Sequence, residues 1–101
     1  MLQYVKIDDK EYPFLYSLSA SVEAEGVDIE KLGFLEQTKK YLYLGFKYGS
    51  KFEEKDFPHD EKEFSKLMEL NPDVFRKASE VFEAQMGKIL GGAVVKKKTP
   101  Q

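Results

Sequence analysis

The side chains best suited to acid–base or metal chemistry gather in residues 59–63. His59, the single histidine of the chain, is followed by Asp60, Glu61 and Glu63. Structural and catalytic zinc sites need three or four ligands at spacings that this stretch does not have. Acidic residues near the start of a helix also interact favourably with the helix dipole. We therefore expect a solvated helix start here and no bound metal.

Other patterns that could support catalysis are equally sparse. The chain has no cysteine, which excludes thiolate nucleophiles and cysteine-based zinc sites. Glu23/Glu25 and Glu53/Glu54 are pairs of carboxylates in charged surroundings, where such groups are ordinarily solvated. The glycines match no phosphate-binding loop. The sequence thus predicts that the protein is not an enzyme and takes no cofactor.

Composition restricts the classes of partner. The chain has 101 residues, of which 42% are hydrophobic and 34% charged, enough for one core in one domain. No segment approaches the roughly 20 apolar residues of a membrane span, so we expect no membrane contact. Residues 1–90 carry 13 Lys and Arg against 18 Asp and Glu, and the three lysines at 96–98 carry the remaining charge. Without a broad basic surface, nucleic acid is not expected as a partner.

Large side chains are concentrated in a band at residues 41–49, YLYLGFKYG, and this pattern raises the possibility of a protein-binding surface. Six of these nine residues are large and apolar or aromatic, whereas one buried helix face needs only three or four apolar residues in seven. The band could fill a core beneath other elements, or part of it could form a contact with another protein. Tyrosine suits such a contact because its ring can be buried while its hydroxyl reaches a partner.

The elements that must position this band begin with a predicted β-hairpin over residues 2–16. Residues 3–7 alternate in polarity, residues 8–10 supply a turn, and residues 11–16 form the return strand. Pro13 cannot donate a hydrogen bond to a strand ladder, which predicts a free edge there. Two strands alone are marginally stable in water, so the hairpin must pack on helices.

Four helices should follow. The first spans residues 17–26, with Ser17 or Ser19 as its N-cap and a glycine stop. A second helix should run from an Asp28 cap to residue 48, with Gly49 after its end, and Gly45 should mark a close contact, a break or a kink. Asp60 and Glu63 predict a capping box for the third helix.

The last helix should begin in the Asn-Pro-Asp sequence at residues 71–73. Asn71 is expected to cap it, and Pro72 suits its first position. We therefore predict an α+β fold, mostly α, with an N-terminal β-hairpin packed on a bundle of about four helices. Residues 1–90 should form a single globular domain, and residues 91–101 a flexible basic tail.

This order of elements resembles the tail assembly chaperones of long-tailed bacteriophages and prophages. The resemblance covers residues 2–88 and is carried by YPFLYSLSA, by VEAEG, by the GF-KYG end of the long helix and by the helix pair split at Asn-Pro. It implies a protein that binds the apolar, helical tape-measure protein and assists assembly of the tail tube. It also implies contact with the tail tube protein, action in the bacterial cytoplasm and absence from the mature virion.

The surplus apolar surface further predicts a homo-oligomer. Two other functions remain open: a small phage or prophage structural or adaptor protein incorporated in the particle, or a small cytoplasmic regulator that binds another protein. The residues expected to contact partners are aromatic or apolar and lie on the second and last helices: Phe34, Tyr41, Leu44, Phe46, Tyr48, Phe75, Phe82 and Met86.

Overall fold

The structure is a computed structural model that describes residues 2–26 and 28–89. It consists of a two-stranded antiparallel hairpin followed by helices, as predicted for the α+β, mostly α class. The elements are β1 (Gln3–Ile7), β2 (Lys10–Phe14), α1 (Leu18–Glu25), a 3-10 turn (Ile29–Lys31), α2 (Phe34–Phe52), α3 (Glu61–Leu70) and α4 (Pro72–Ile89). The tail predicted at residues 91–101 lies outside the described residues.

The hairpin turns through two aspartates. Ile7 pairs with Lys10, so that Asp8 and Asp9 form the whole loop. Their φ angles are 50° and 67°, the left-handed conformation that tight hairpin turns require at both central residues and that aspartate tolerates better than most residues. Val5 on β1 is buried, because the face of the hairpin that carries it packs toward the helices.

The hairpin rests directly on the backbone of α2. An ideal Cβ added to Gly45 would lie 2.2 Å from the ring of Phe14, and one added to Gly49 would lie 2.4 Å from the carbonyl oxygen of Pro13. The backbone N–H of Leu15 also donates to the carbonyl of Gly45 at 3.0 Å. The two glycines therefore allow the return strand to approach α2 more closely than any side chain would permit.

A buried glutamine of α4 binds the same segment. Gln85 of α4 is 5% exposed. Its Oε1 accepts from the backbone N–H of Tyr16 at 2.6 Å, and its Nε2 donates to the carbonyl of Phe14 at 3.1 Å. A buried backbone N–H or carbonyl without a partner would cost about 1–3 kcal/mol. The Gln85 side chain supplies the partners that a third strand would otherwise give to the end of the hairpin.

The predicted bounds of the second helix were wrong at both ends. Asp28 precedes only the short 3-10 turn and makes no side-chain cap, and α2 begins after Gly33. At the other end, Gly49 lies inside α2, where it faces the hairpin. The helix stops instead near Glu54, whose φ is 59°. Its N–H and that of Lys55 donate to the carbonyls of Lys51 and Ser50, which satisfies the helix end in the manner usual for glycine.

The predicted starts of the other helices are confirmed. Ser17 Oγ accepts from the N–H of Ala20 at 3.2 Å. Asp60 and Glu63 form the reciprocal capping box, and α4 begins at Pro72. Asn71 directly precedes α4, and its carbonyl accepts from the N–H of Phe75 at 3.1 Å. Its side-chain amide, however, donates to the carbonyl of Leu67 at 2.9 Å and so closes the end of α3.

Replacing Gly49 by alanine tests the close contact between hairpin and helix. Alanine favours a helix interior over glycine by about 1 kcal/mol, but displacing packed neighbours costs about 1–3 kcal/mol or more. We expect Gly49→Ala to lower the free energy of unfolding measured by urea denaturation, because the nearest atoms are backbone. Gly33→Ala is the control, since its Cβ would meet nothing within 4 Å. A Gly49→Ala protein as stable as wild type would contradict this contact.

Candidate protein-binding surface

Every residue of the band at 41–49 is buried or half-buried. Leu44 is 1% exposed and Phe46 is 0% exposed, because the hairpin covers this half of α2. The ring of Phe46 packs edge-on against Phe14 at 5.0 Å and stacks on Phe57 at 5.2 Å. The assignment of Leu44 and Phe46 to a partner surface is therefore corrected: both side chains belong to the core.

Tyr41 forms part of an aromatic cluster between α2 and α4. Its ring stacks on Phe82 at 5.1 Å and meets Tyr16 edge-on at 5.9 Å. Phe82 is 9% exposed, so it too belongs to the core rather than to the predicted surface. Burial raises the pKa of the Tyr16 hydroxyl, which keeps that hydroxyl neutral. Met86 is half-buried near this cluster.

Tyr48 joins α2 to α1 through its hydroxyl. It donates to the Glu23 carboxylate at 2.6 Å, and Lys47 contacts the same carboxylate at 3.0 Å. The hydrogen bond from Tyr48 and, after it, the contact with Lys47 lower the pKa of Glu23. This pairing orients α1 on α2, so the hydroxyl that was expected to reach a partner protein is already bonded within the chain.

Exposed apolar side chains instead collect at the N-terminal end of α2. Phe34 is 79% exposed and Leu35 is 59% exposed. Leu35 lies beside Phe75 in a shallow depression between α2, the end of α3 and the start of α4, here called the Leu35 groove. It is lined by Leu35, Lys39, Met68, Glu69, Pro72 and Phe75.

The size of the Leu35 groove suits one large apolar side chain. Its volume is about 160 Å³, close to the roughly 150 Å³ of a cavity that accepts benzene. Leu70, which ends α3 beside this region of the chain, is 78% exposed. Phe34 and Leu70 are each next in the sequence to a residue that lines the groove, Leu35 and Glu69 respectively.

The charged groups of the groove are paired with each other. Lys39 Nζ lies 2.6 Å from Glu69 Oε2 and donates to Ser65 Oγ at 3.1 Å. The hydrogen bond to Glu69 raises the pKa of Lys39, and the same contact lowers the pKa of Glu69. Only 11% of the Lys39 side chain is exposed, so its aliphatic stem forms part of the wall while its charge is neutralised.

Of the residues predicted to contact partners, Phe34 is exposed and Phe75 lines the Leu35 groove, whereas Leu35 and Leu70 were not among them. Leu35 has the same helical phase as buried Leu42, so periodicity places it in the core. The difference is its position along the helix, because the hairpin packs on α2 at Gly45 and Gly49, ten or more residues further along the chain. The exposure of Leu70 could have been predicted, because its position in the helical repeat does not fall on the face of α3 that carries the buried residues Phe64 and Met68.

The residues considered for chemistry have structural contacts instead. The His59 ring packs edge-on against Tyr12 and Phe57, and its Nδ1 lies 3.5 Å from Glu63. Within the described part of the chain, no group of three His, Cys, Asp or Glu side chains could hold a metal ion. The lowered pKa of Glu23 is the opposite of what a general acid would require.

Comparison with known proteins identifies no relative of this chain. No protein-family model, curated protein or solved structure matches the chain. Among residues 2–26 and 28–89, no helix has the length and apolar character needed to cross a membrane.

The contact of Glu23 with Tyr48 and Lys47 predicts a pH-dependent stability. Because its pKa is lowered from 4.5 in the folded protein, Glu23 contributes stability above that value and loses it as the pH falls through the folded pKa. Glu23→Gln should therefore be less stable than wild type near pH 7, with a smaller difference at about pH 3. Urea denaturation at both pH values measures this difference.

Glu83→Gln is the matched control, because Glu83 is exposed and forms no ion pair with a described residue. Its difference from wild type should change less with pH. An equal pH dependence for the two variants would show that the Glu23 contact does not stabilise the fold.

Proposed function

We propose that the protein is a chaperone-like component of phage tail assembly that holds apolar helical segments of a tape-measure protein. The observation that carries the proposal is the Leu35 groove. It combines half-buried Phe75 with Leu35, which is 59% exposed, where α2 and α4 begin. The resemblance to tail assembly chaperones supplies the identity of the client, and the groove supplies a place for it.

The chemistry of the groove favours an apolar helix as its occupant. Lys39 and Glu69 already neutralise each other, so a partner need not bring a charge to match them. Amphipathic helices bind grooves of this kind through apolar side chains spaced three or four residues apart. One such side chain fills the groove, and its neighbours reach the exposed rings and leucines beside it.

In this proposal the protein works by binding and carries out no catalysis. It associates with further copies of itself, acts in the cytoplasm of the bacterial host and leaves before the virion is complete. The tail tube protein is then recruited to the held tape-measure protein. Mass spectrometry of purified virions tests whether the protein leaves before assembly is complete. If the protein were abundant in the virions, it would instead be a structural component of the particle.

A charge placed in the groove should prevent binding. We expect Leu35→Asp to weaken binding of the tape-measure client by about tenfold or more, because burying the exposed part of this leucine is worth roughly 1–2 kcal/mol and an aspartate would also have to lose its water. Co-purification and titration with the tape-measure protein measure the effect. Circular dichroism checks that the variant is folded, as expected for a side chain that is 59% exposed.

Val22→Asp is the matched control. Val22 is also a helical, apolar residue and is 66% exposed, but it lies on α1 and does not line the groove. Binding that weakens equally in both variants would contradict the groove as the site. A wild-type protein that neither binds the tape-measure protein nor keeps it soluble would contradict the proposed function itself.

A further inference from the structure

A cleft larger than the Leu35 groove lies elsewhere on the described residues. It has a volume of about 490 Å³ between α1, the 3-10 turn, α2 and the last turns of α4. Ile29, Tyr41 and Met86 contribute apolar surface to it. It shares no lining residue with the Leu35 groove, so its function can be tested separately.

One side of the cleft is strongly acidic. Glu25, Asp28 and Glu30 line it. Asp28 is 3.4 Å from Lys31, with 81% of each side chain exposed, and an exposed pair of this kind is worth little. Neither Glu25 nor Glu30 forms a salt bridge with any residue in the described ranges. The cleft therefore offers apolar contacts beside the carboxylates of Glu25 and Glu30, which have no cationic partner among the described residues, and beside the weakly paired Asp28.

The chain itself carries a segment with the complementary pattern. Residues 93–95 are Ala-Val-Val, residues 96–98 are three lysines, and residues 91–101 contain no acid. The segment follows α4 in the sequence, and Met86 in the last turns of that helix is part of the cleft wall. Seven residues beyond α4 can reach about 23–25 Å, which brings the lysines within range of the cleft.

We propose that this cleft is the docking site for the chain's own segment 93–98. Ala-Val-Val contacts the apolar wall of Ile29, Tyr41 and Met86, and the lysines pair with Glu25, Asp28 and Glu30. The covalent connection makes binding intramolecular, which raises the effective concentration of the segment to the millimolar range for a short linker. Docking covers the acidic cleft and withholds the lysines from other anionic surfaces.

The absence of cysteine allows a direct test in the full chain. Ser21 lines the cleft, whereas Ser65 of α3 does not, and both side chains are half-buried. Ser21→Cys and Ser65→Cys, each combined with Val95→Cys, are compared during mild oxidation by glutathione disulfide at low protein concentration. We expect the intramolecular disulfide to form about tenfold faster in the Ser21→Cys protein, because docking holds its two thiols together.

The rate of disulfide formation should also depend on the charges of the cleft. High salt, or the additional changes Glu25→Gln and Glu30→Gln, should reduce the rate in the Ser21→Cys protein toward that of the Ser65→Cys protein, since screening weakens exposed ion pairs. Equal rates in the two proteins would overturn the proposal. So would a rate that is unaffected by salt and by the glutamine substitutions, or a product that consists mainly of disulfide-linked dimers.

Discussion

Gly45 and Gly49 leave one side of α2 without side chains, and the return strand of the hairpin occupies that space. The contact is close enough that Pro13 lies against the helix backbone and the Leu15 N–H bonds to a helix carbonyl. Gln85 holds the same strand end from α4. A hairpin too small to be stable alone is thereby bonded to two helices, and the core forms between them.

The position of that contact determines which part of α2 remains available. The hairpin covers the C-terminal half, where Leu44 and Phe46 are buried. The N-terminal half extends beyond it toward α3 and α4, which leaves Leu35 exposed beside Phe75. The candidate binding surface is thus a consequence of a helix longer than the sheet that covers it. The pairing of Lys39 with Glu69 keeps this surface apolar despite the charged residues around it.

Local signals predicted those parts of the fold that depend on neighbours in sequence. The capping box at Asp60 and Glu63 and the start of α4 at Pro72 follow from short-range hydrogen bonding. Gly49 was misread as a helix stop because its role depends on a strand more than 30 residues away in the chain, which no local pattern reveals. The exposure of Leu35 was missed for the same reason, since helical periodicity does not show where a covering element ends.

Hydrogen exchange of the chain, alone and with the proposed tape-measure client added, tests the central claim most directly. Backbone amides at the start of α2 and around the junction of α3 with α4 should exchange more slowly in the complex, because a bound helix excludes water and restricts local opening there. The amides of α1 should change little. Protection confined to α1, or no change at the α2–α4 junction in a complex shown to have formed, would contradict the claim that the Leu35 groove holds the client.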